Sequence, residues 1–306
     1  MKTMQLGKSD LQVSSISVGC MRINSLNRTE AEGFFKTAIE DLGINFFDHA
    51  DIYGGGASEE IFAQAVKDAG IPRDKLIVQT KCGVRKGFYD LSKDYIISSL
   101  DNSLERLNTD YVDVFLLHRP DTLIEPEEIA EAFASLHKAG KVKSFGVSNH
   151  NSGQIRLLNK YLDKKYQINV NQLQFSPAHT GMIDVGLNVN MTNSIDHDGG
   201  ILDFCRLEEI TIQTWSPFMY GYFEGVFLGS EKYPQLNEVI NDMASEKNVE
   251  PGAVVIAWIL RHPARMQATL GTPEIDLLKS ACKACTFDMS REEWYRIYCA
   301  AGNKLP

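Results

Sequence analysis

A (β/α)8 barrel, the TIM barrel, is the fold class that this 306-residue sequence predicts, on three observations. Short apolar runs rich in β-branched residues recur eight times with helical patterns between them, as expected of βαβ units around a parallel sheet. These runs close on Gly, Asp, Lys, His or Gln rather than on further apolar residues. No G-x-G-x-x-G follows any of them, which removes the main signal of a doubly wound dinucleotide fold, the other arrangement open to the same elements. Barrels of this length fold as one unit, so residues 1–306 are expected to form a single domain.

The strands are expected at 15–19, 44–48, 76–80, 112–117, 143–147, 169–174, 211–215 and 267–271. Helices are expected at 29–42, 58–69, 94–107, 126–139 and 152–162, where apolar residues recur at helical spacing. Ser58, with Glu59 and Glu60 behind it, and Ser92, before an amphipathic run, are expected to be N-caps. Segments 236–247 and 251–262 add two helices before strand eight, and 290–301 adds one at the C-terminus.

The composition is that of an ordinary globular protein, with 43% hydrophobic and 23% charged residues. The N-terminus lacks an apolar signal region and no eighteen-residue apolar stretch follows, so the expected location is cytoplasmic, without membrane contact. Six scattered cysteines lack the spacing of a disulfide scaffold and are expected to be reduced; Cys282 and Cys285 form one C-x-x-C without a second pair for zinc. A net charge of −9 and the absence of a basic stripe argue against nucleic acid.

In such a barrel the functional residues sit at the C-terminal strand ends. Strand two leads through DHADIYGGG to Asp48 and Tyr53, strand three ends in Lys81 and strand four in His118. Taken singly, each has a structural explanation: a turn-forming Asp, a snorkelling Lys, a packed His. Strands two to four are neighbours, however, and their ends converge on one mouth. Hydride addition to a carbonyl leaves an alkoxide that needs a proton donor. A phenol with its ordinary pKa of about 10 is a poor donor at neutral pH. An ammonium such as Lys81, held by Asp48, favours the phenolate, and His118 can orient the carbonyl oxygen. Gly54 to Gly56 are expected to turn the backbone so that Tyr53 faces the cleft. Asp48, His49 and Asp51 lack the second cluster that a metal site needs, so no metal is expected.

GINFFDHADIYGGG, VQTKCG, LLHRPD, KVKSFGVSNH, NQLQFSP and TWSPF, in this order, resemble the aldo-keto reductases, specifically the bacterial oxidoreductases with a DHADIYGG motif. The resemblance runs from VGCMRI at 18–23 to the C-terminal WYRIYCAAGNKLP. It implies that Asp48, Tyr53, Lys81 and His118 are the catalytic tetrad of an enzyme acting on a small carbonyl or alcohol. It implies further that Ser148, Asn149 and Gln174 hold a nicotinamide carboxamide, that Trp215 stacks on its ring, and that Gly19, Cys20, Met21, Asp48, Ser216, Phe218, Gly271 and Thr272 contact the cofactor. Without the resemblance, an N-capping Ser and a core Trp explain the same residues equally well. Two loops are expected to shape the substrate pocket: one with Phe88 and Tyr89, the other with Phe218, Tyr220, Tyr222, Phe223 and Phe227. Arg119 is open to two readings, meeting a substrate anion or pairing with an acidic neighbour.

NADP is the cofactor that the family resemblance implies. Yet Glu274 and Leu277 stand where relatives present basic residues to the 2′-phosphate, which makes NAD the alternative. Lys279 and Lys283, further along, could restore the charge. A nicotinamide-sensing regulatory protein on the same scaffold, like the potassium-channel β subunits, is the competing function, although a regulator needs no proton donor. A barrel lyase or isomerase would need a phosphate site or metal cluster that the sequence does not offer.

Overall fold

The computed structural model describes residues 1–189, 191, 195–222 and 224–305. Eight parallel strands close a barrel in which each pairs with the next in sequence and the last returns to the first. They are β1 (Ile16–Gly19), β2 (Phe46–Asp48), β3 (Ile77–Cys82), β4 (Val112–Leu117), β5 (Val142–Ser148), β6 (Ile168–Gln174), β7 (Thr211–Trp215) and β8 (Gln267–Leu270). Strand β3 runs two residues beyond its expected end, which carries Lys81 into the ladder opposite Leu116. Every residue of β4 is buried, as expected where one face packs on helices and the other fills the barrel.

The floor is sealed by an antiparallel hairpin, Thr3–Gln5 with Gln12–Ser14. It presses Leu6 and Val13 against Phe46, Val114, Leu116 and Val170 inside the barrel. The opposite end is left free to open, and the larger apolar core lies between the strands and the surrounding helices.

The first five helices are α1 (Arg28–Lys36), α2 (Ala57–Asp68), α3 (Lys93–Leu107), α4 (Pro126–Lys138) and α5 (Ser152–Tyr161). The expected 29–42 helix is split, α1 passing into a π-helical turn over Thr37–Asp41. Ser58 is not an N-cap. Helix α2 begins at Ala57 behind Gly56, whose φ of 100° only glycine adopts readily, so the entry is made by backbone and Ser58 is buried within the first turn. Ser92 does precede α3, but its hydroxyl donates to Asp90 at 2.7 Å instead of accepting from the helix. Between β6 and β7 lie two short helices that periodicity did not single out, α6 (Gly181–Leu187) and α7 (Ile201–Leu207).

Helices α8 (Pro234–Lys247) and α9 (Pro251–Arg261) precede β8, and α10 (Ile275–Cys282) and α11 (Arg291–Ala300) follow it. Ser290 and Glu293 form a capping box on α11. Trp258 of α9 stacks on Trp294 of α11 at 4.9 Å, and each indole N–H donates to the other residue's carbonyl, at 3.0 and 3.1 Å. That reciprocal pair fastens the C-terminal helix to the barrel wall. Among the described residues, no helix is long and apolar enough to cross a membrane.

Candidate active site

A cleft of about 540 Å³ opens at the C-terminal ends of the strands. Asp48 closes β2, Lys81 is the penultimate residue of β3, and His118 follows β4 directly. Tyr53 comes from the turn after β2, where Gly54, Gly55 and Gly56 all have positive φ, of 59°, 66° and 100°. Three successive left-handed residues fold the chain back over the barrel mouth, which is why the sequence needs glycine at each.

These four side chains meet. The Lys81 ammonium is buried beneath the cleft and uses all three of its donors. It lies 2.7 Å from Asp48 Oδ1, and donates to the His49 carbonyl at 2.8 Å and to Tyr53 Oη at 3.2 Å. Burial opposes the Lys81 charge, but Asp48 and Tyr53 outweigh it and its pKa rises above the ordinary value. Tyr53 and His118 both line the cleft, their rings edge-to-face at 6.0 Å.

Burial raises the Tyr53 pKa, and the Lys81 ammonium pulls it back only in part, so the net direction is upward. The sequence reading anticipated the pull of Lys81 but not the larger desolvation that opposes it. Burial, then Lys81 and Arg119, drive His118 well below its ordinary value, so its imidazole is neutral. His118 Nδ1 is buried without a hydrogen-bond partner among the described residues. A proton on the other nitrogen buries a lone pair there rather than an N–H and leaves Nε2–H to serve as donor.

The adjoining wall of the cleft comes from Ser148, Asn149, Gln172 and Trp215. Asn149 Nδ2 donates to Ser148 Oγ at 2.7 Å, and Trp215 Nε1 donates to Asn149 Oδ1 at 3.2 Å. Asn149 and Ser216 are non-glycine residues in the left-handed region, with φ of 59° and 50°. Such strain is held by surrounding structure and concentrates at functional sites. Gly19, Met21, Ser216, Phe218, Gly271, Thr272 and Glu274 also line it.

Two expected contacts stand apart. Cys20 is fully buried behind the cleft, with its thiol toward the Val18 carbonyl. Gln174 lies outside the lining because its amide donates to the Gly221 carbonyl at 2.6 Å; Gln172, two residues back on the same face of β6, is the glutamine that reaches the cleft. Of the aromatic loop residues, Tyr89 and Tyr222 join Phe218 in the lining, whereas Phe88 points outward, Tyr220 packs on Tyr233 and Phe227 is core. Phe223 lies outside the described residues.

The structure also brings in residues that the sequence reading missed. Arg22 lines the cleft and donates to the Gly271 carbonyl at 3.0 Å. Beneath the tetrad a chain of glutamines crosses the barrel. Gln79 donates to Asp48 at 2.5 Å and to Gln213 at 2.9 Å, Gln213 donates to Gln267 at 2.8 Å, and Gln267 donates to the Ser14 carbonyl at 2.7 Å. The signal was available as inward-facing glutamines on β3, β6, β7 and β8, polar residues where apolar ones are expected. Among the described residues no cluster of three His, Cys, Asp or Glu side chains is placed to hold a metal ion.

The profile of the aldo/keto reductase family matches residues 15–300. The chain belongs to the aldo/keto reductase family. It is 33% identical to an uncharacterized oxidoreductase of Bacillus subtilis (strain 168), with the whole of both chains covered. It is also 33% identical to a 6-dehydroglucose reductase of Agrobacterium fabrum, over 96% of each chain. A thermostable aldo-keto reductase crystallised with the inhibitor epalrestat superposes with a TM-score of 0.79 at 25% identity, over 98% of this chain and 100% of that one. This aldo/keto reductase is therefore an oxidoreductase on a (β/α)8 barrel.

Proposed function

We propose that the protein interconverts an aldehyde or ketone and the corresponding alcohol with a nicotinamide cofactor, and that Tyr53 carries the proton. One observation carries this reading: a buried ammonium, held by Asp48, donates to the hydroxyl of a tyrosine that lines the cleft.

The cleft fits a nicotinamide nucleotide. Trp215 offers an aromatic face beside the amides of Asn149 and Gln172, and at the other end residues 271–274 lead into the N-terminus of α10, a position that favours phosphate. The reduced cofactor would supply a hydride. His118 Nε2–H orients the carbonyl oxygen, and Tyr53 Oη gives its proton to that oxygen as negative charge develops. Lys81 stabilises the phenolate left behind, and Asp48 keeps Lys81 charged and in register. A purely regulatory role would leave this arrangement without use.

For the 2′-phosphate the charges conflict. Glu274 lines the cleft, Leu277 is 54% exposed, and Lys279 lies 3.7 Å from Asp276. Arg22 and the start of α10 favour the phosphate, and Glu274 repels it. These terms support use of both NADP and NAD, with NADP the family default.

Tyr53→Phe tests the proton donor. Turnover should fall at least about a hundredfold, the low end for general acid catalysis, with cofactor affinity by fluorescence titration unchanged. Retention of most carbonyl reduction by the Phe variant refutes the assignment.

A further inference from the structure

Three arginines of the described chain are half-buried: Arg73, Arg106 and Arg119. Two are answered by buried carboxylates, Arg73 by Asp113 at 2.8 Å and Arg106 by Glu59 at 2.7 Å. Arg119 has no carboxylate within ion-pair distance among the described residues. It lines the cleft beside His118, with its guanidinium 5.4 Å from the Tyr222 ring centroid and 5.9 Å from that of Trp215. Its one hydrogen bond to a described residue is a long one, Nη2 to Tyr222 Oη at 3.5 Å. Partial burial of a guanidinium is offset by an acid at Arg73 and Arg106; here two rings flank it, and most of its five N–H groups have no hydrogen-bond partner among the described residues.

From this we infer that Arg119 is the specificity-determining residue of an anion subsite, and that the substrate is a carbonyl compound bearing a carboxylate. The inference rests on the carbonyl-reduction reading above and names its substrate class. A carboxylate is the better match for the planar fork of one guanidinium, which it can accept through two parallel N–H···O bonds. Arg119 and His118 are consecutive and line one cleft, so a molecule whose carbonyl reaches Tyr53 and His118 has its far end within reach of the guanidinium. Asp48 does not compete for that role, because its charge is already taken up by Lys81. The rings of Trp215 and Tyr222 limit side-chain motion, so little order is lost when the anion binds.

The test uses two aldehydes of the same shape, 4-carboxybenzaldehyde and its neutral isostere 4-formylbenzamide, with 4-formylphenyl phosphate as a third arm. The wild type should favour the carboxylate over the amide in kcat/KM by roughly tenfold to a hundredfold, the range for a hydrogen bond to a charged group. In Arg119→Gln that ratio should collapse to about one through KM, and Arg119→Lys should keep part of it. Binding of terephthalate and of benzamide, followed by tryptophan fluorescence, reads the subsite without turnover. A wild-type ratio near one, a ratio unmoved in Arg119→Gln, equal binding of the two ligands, or preference for the phosphate overturns the assignment. Turnover of the amide separately judges the reductase reading, so the two failures are told apart.

Discussion

Lys81→Met removes the one cation that faces Asp48, Tyr53 and the His49 carbonyl together. Two consequences follow, and they have different sizes. For stability, Asp48 is left as a buried carboxylate with the Gln79 amide as its one side-chain donor among the described residues, and stranding one member of a buried pair costs about 3–5 kcal/mol. For catalysis, a cation 3.2 Å from the phenol oxygen contributes up to about 5 kcal/mol at an effective dielectric constant of roughly 20. Burial already raises the Tyr53 pKa, and loss of the cation raises it further. Tyr53 then becomes a weaker acid, so reduction slows at neutral pH, by at least about a hundredfold. In the oxidation direction the phenolate is the active base, so the rise of rate with pH should move to higher pH in the variant. The double variant Asp48→Asn, Lys81→Met removes both charges and should regain most of the lost stability in urea denaturation while remaining inactive. Stopped-flow or steady-state rates from pH 6 to 10, together with denaturation of all three proteins, provide the check. Wild-type turnover and an unmoved pH profile in Lys81→Met would mean that the ion pair is structural only.

Three further outcomes are expected. The ratio of kcat/KM for NADPH to that for NADH should lie within about tenfold, or roughly 1.4 kcal/mol, and Glu274→Lys should shift it toward NADPH; a thousandfold wild-type preference would refute the role of Glu274. His49 and His150 are buried and neutral, with burial pushing their pKa values down to about 3 and about 4. Between these values and the ordinary 6.5 the unfolded chain binds more protons than the folded one, so stability should fall as pH falls, by roughly 1.4 kcal/mol per pH unit for each histidine. His49 has neither ring nitrogen hydrogen-bonded to a described residue, so His49→Phe should flatten that slope; equal stability at pH 7 and 5 in the wild type contradicts this. Trp294→Ala should cost about 3–5 kcal/mol in urea denaturation, since it empties the stack on Trp258 and Tyr298 and removes the indole bond that Trp294 donates to the Trp258 carbonyl; a loss under about 1 kcal/mol would show that α11 is not held by this pair.

Sequence by itself determined the barrel and the convergence of Asp48, Tyr53, Lys81 and His118. Strand and helix periods are local properties, and a closed parallel barrel brings neighbouring strand ends to one mouth whatever the loops do. It also determined the turn at Gly54 to Gly56, because a run of glycines marks backbone that other residues resist. Tertiary structure alone decided which residues reach the cleft. Gln172 and Gln174 share a face of β6 and look equivalent in sequence, yet a carbonyl of the β7 loop, 47 residues away, captures Gln174. Cys20 lies between two lining residues, Gly19 and Met21, but its side chain turns into the core. The pKa of Tyr53 follows the same logic. The attraction of Lys81 is legible from residue types, whereas the desolvation that outweighs it depends on how completely the other elements bury the phenol. Arg119 shows the limit most plainly: an arginine after a histidine reads equally as an ion-pair partner or as a ligand anchor. The choice between them depends on whether any carboxylate from the rest of the chain is folded close enough to meet it.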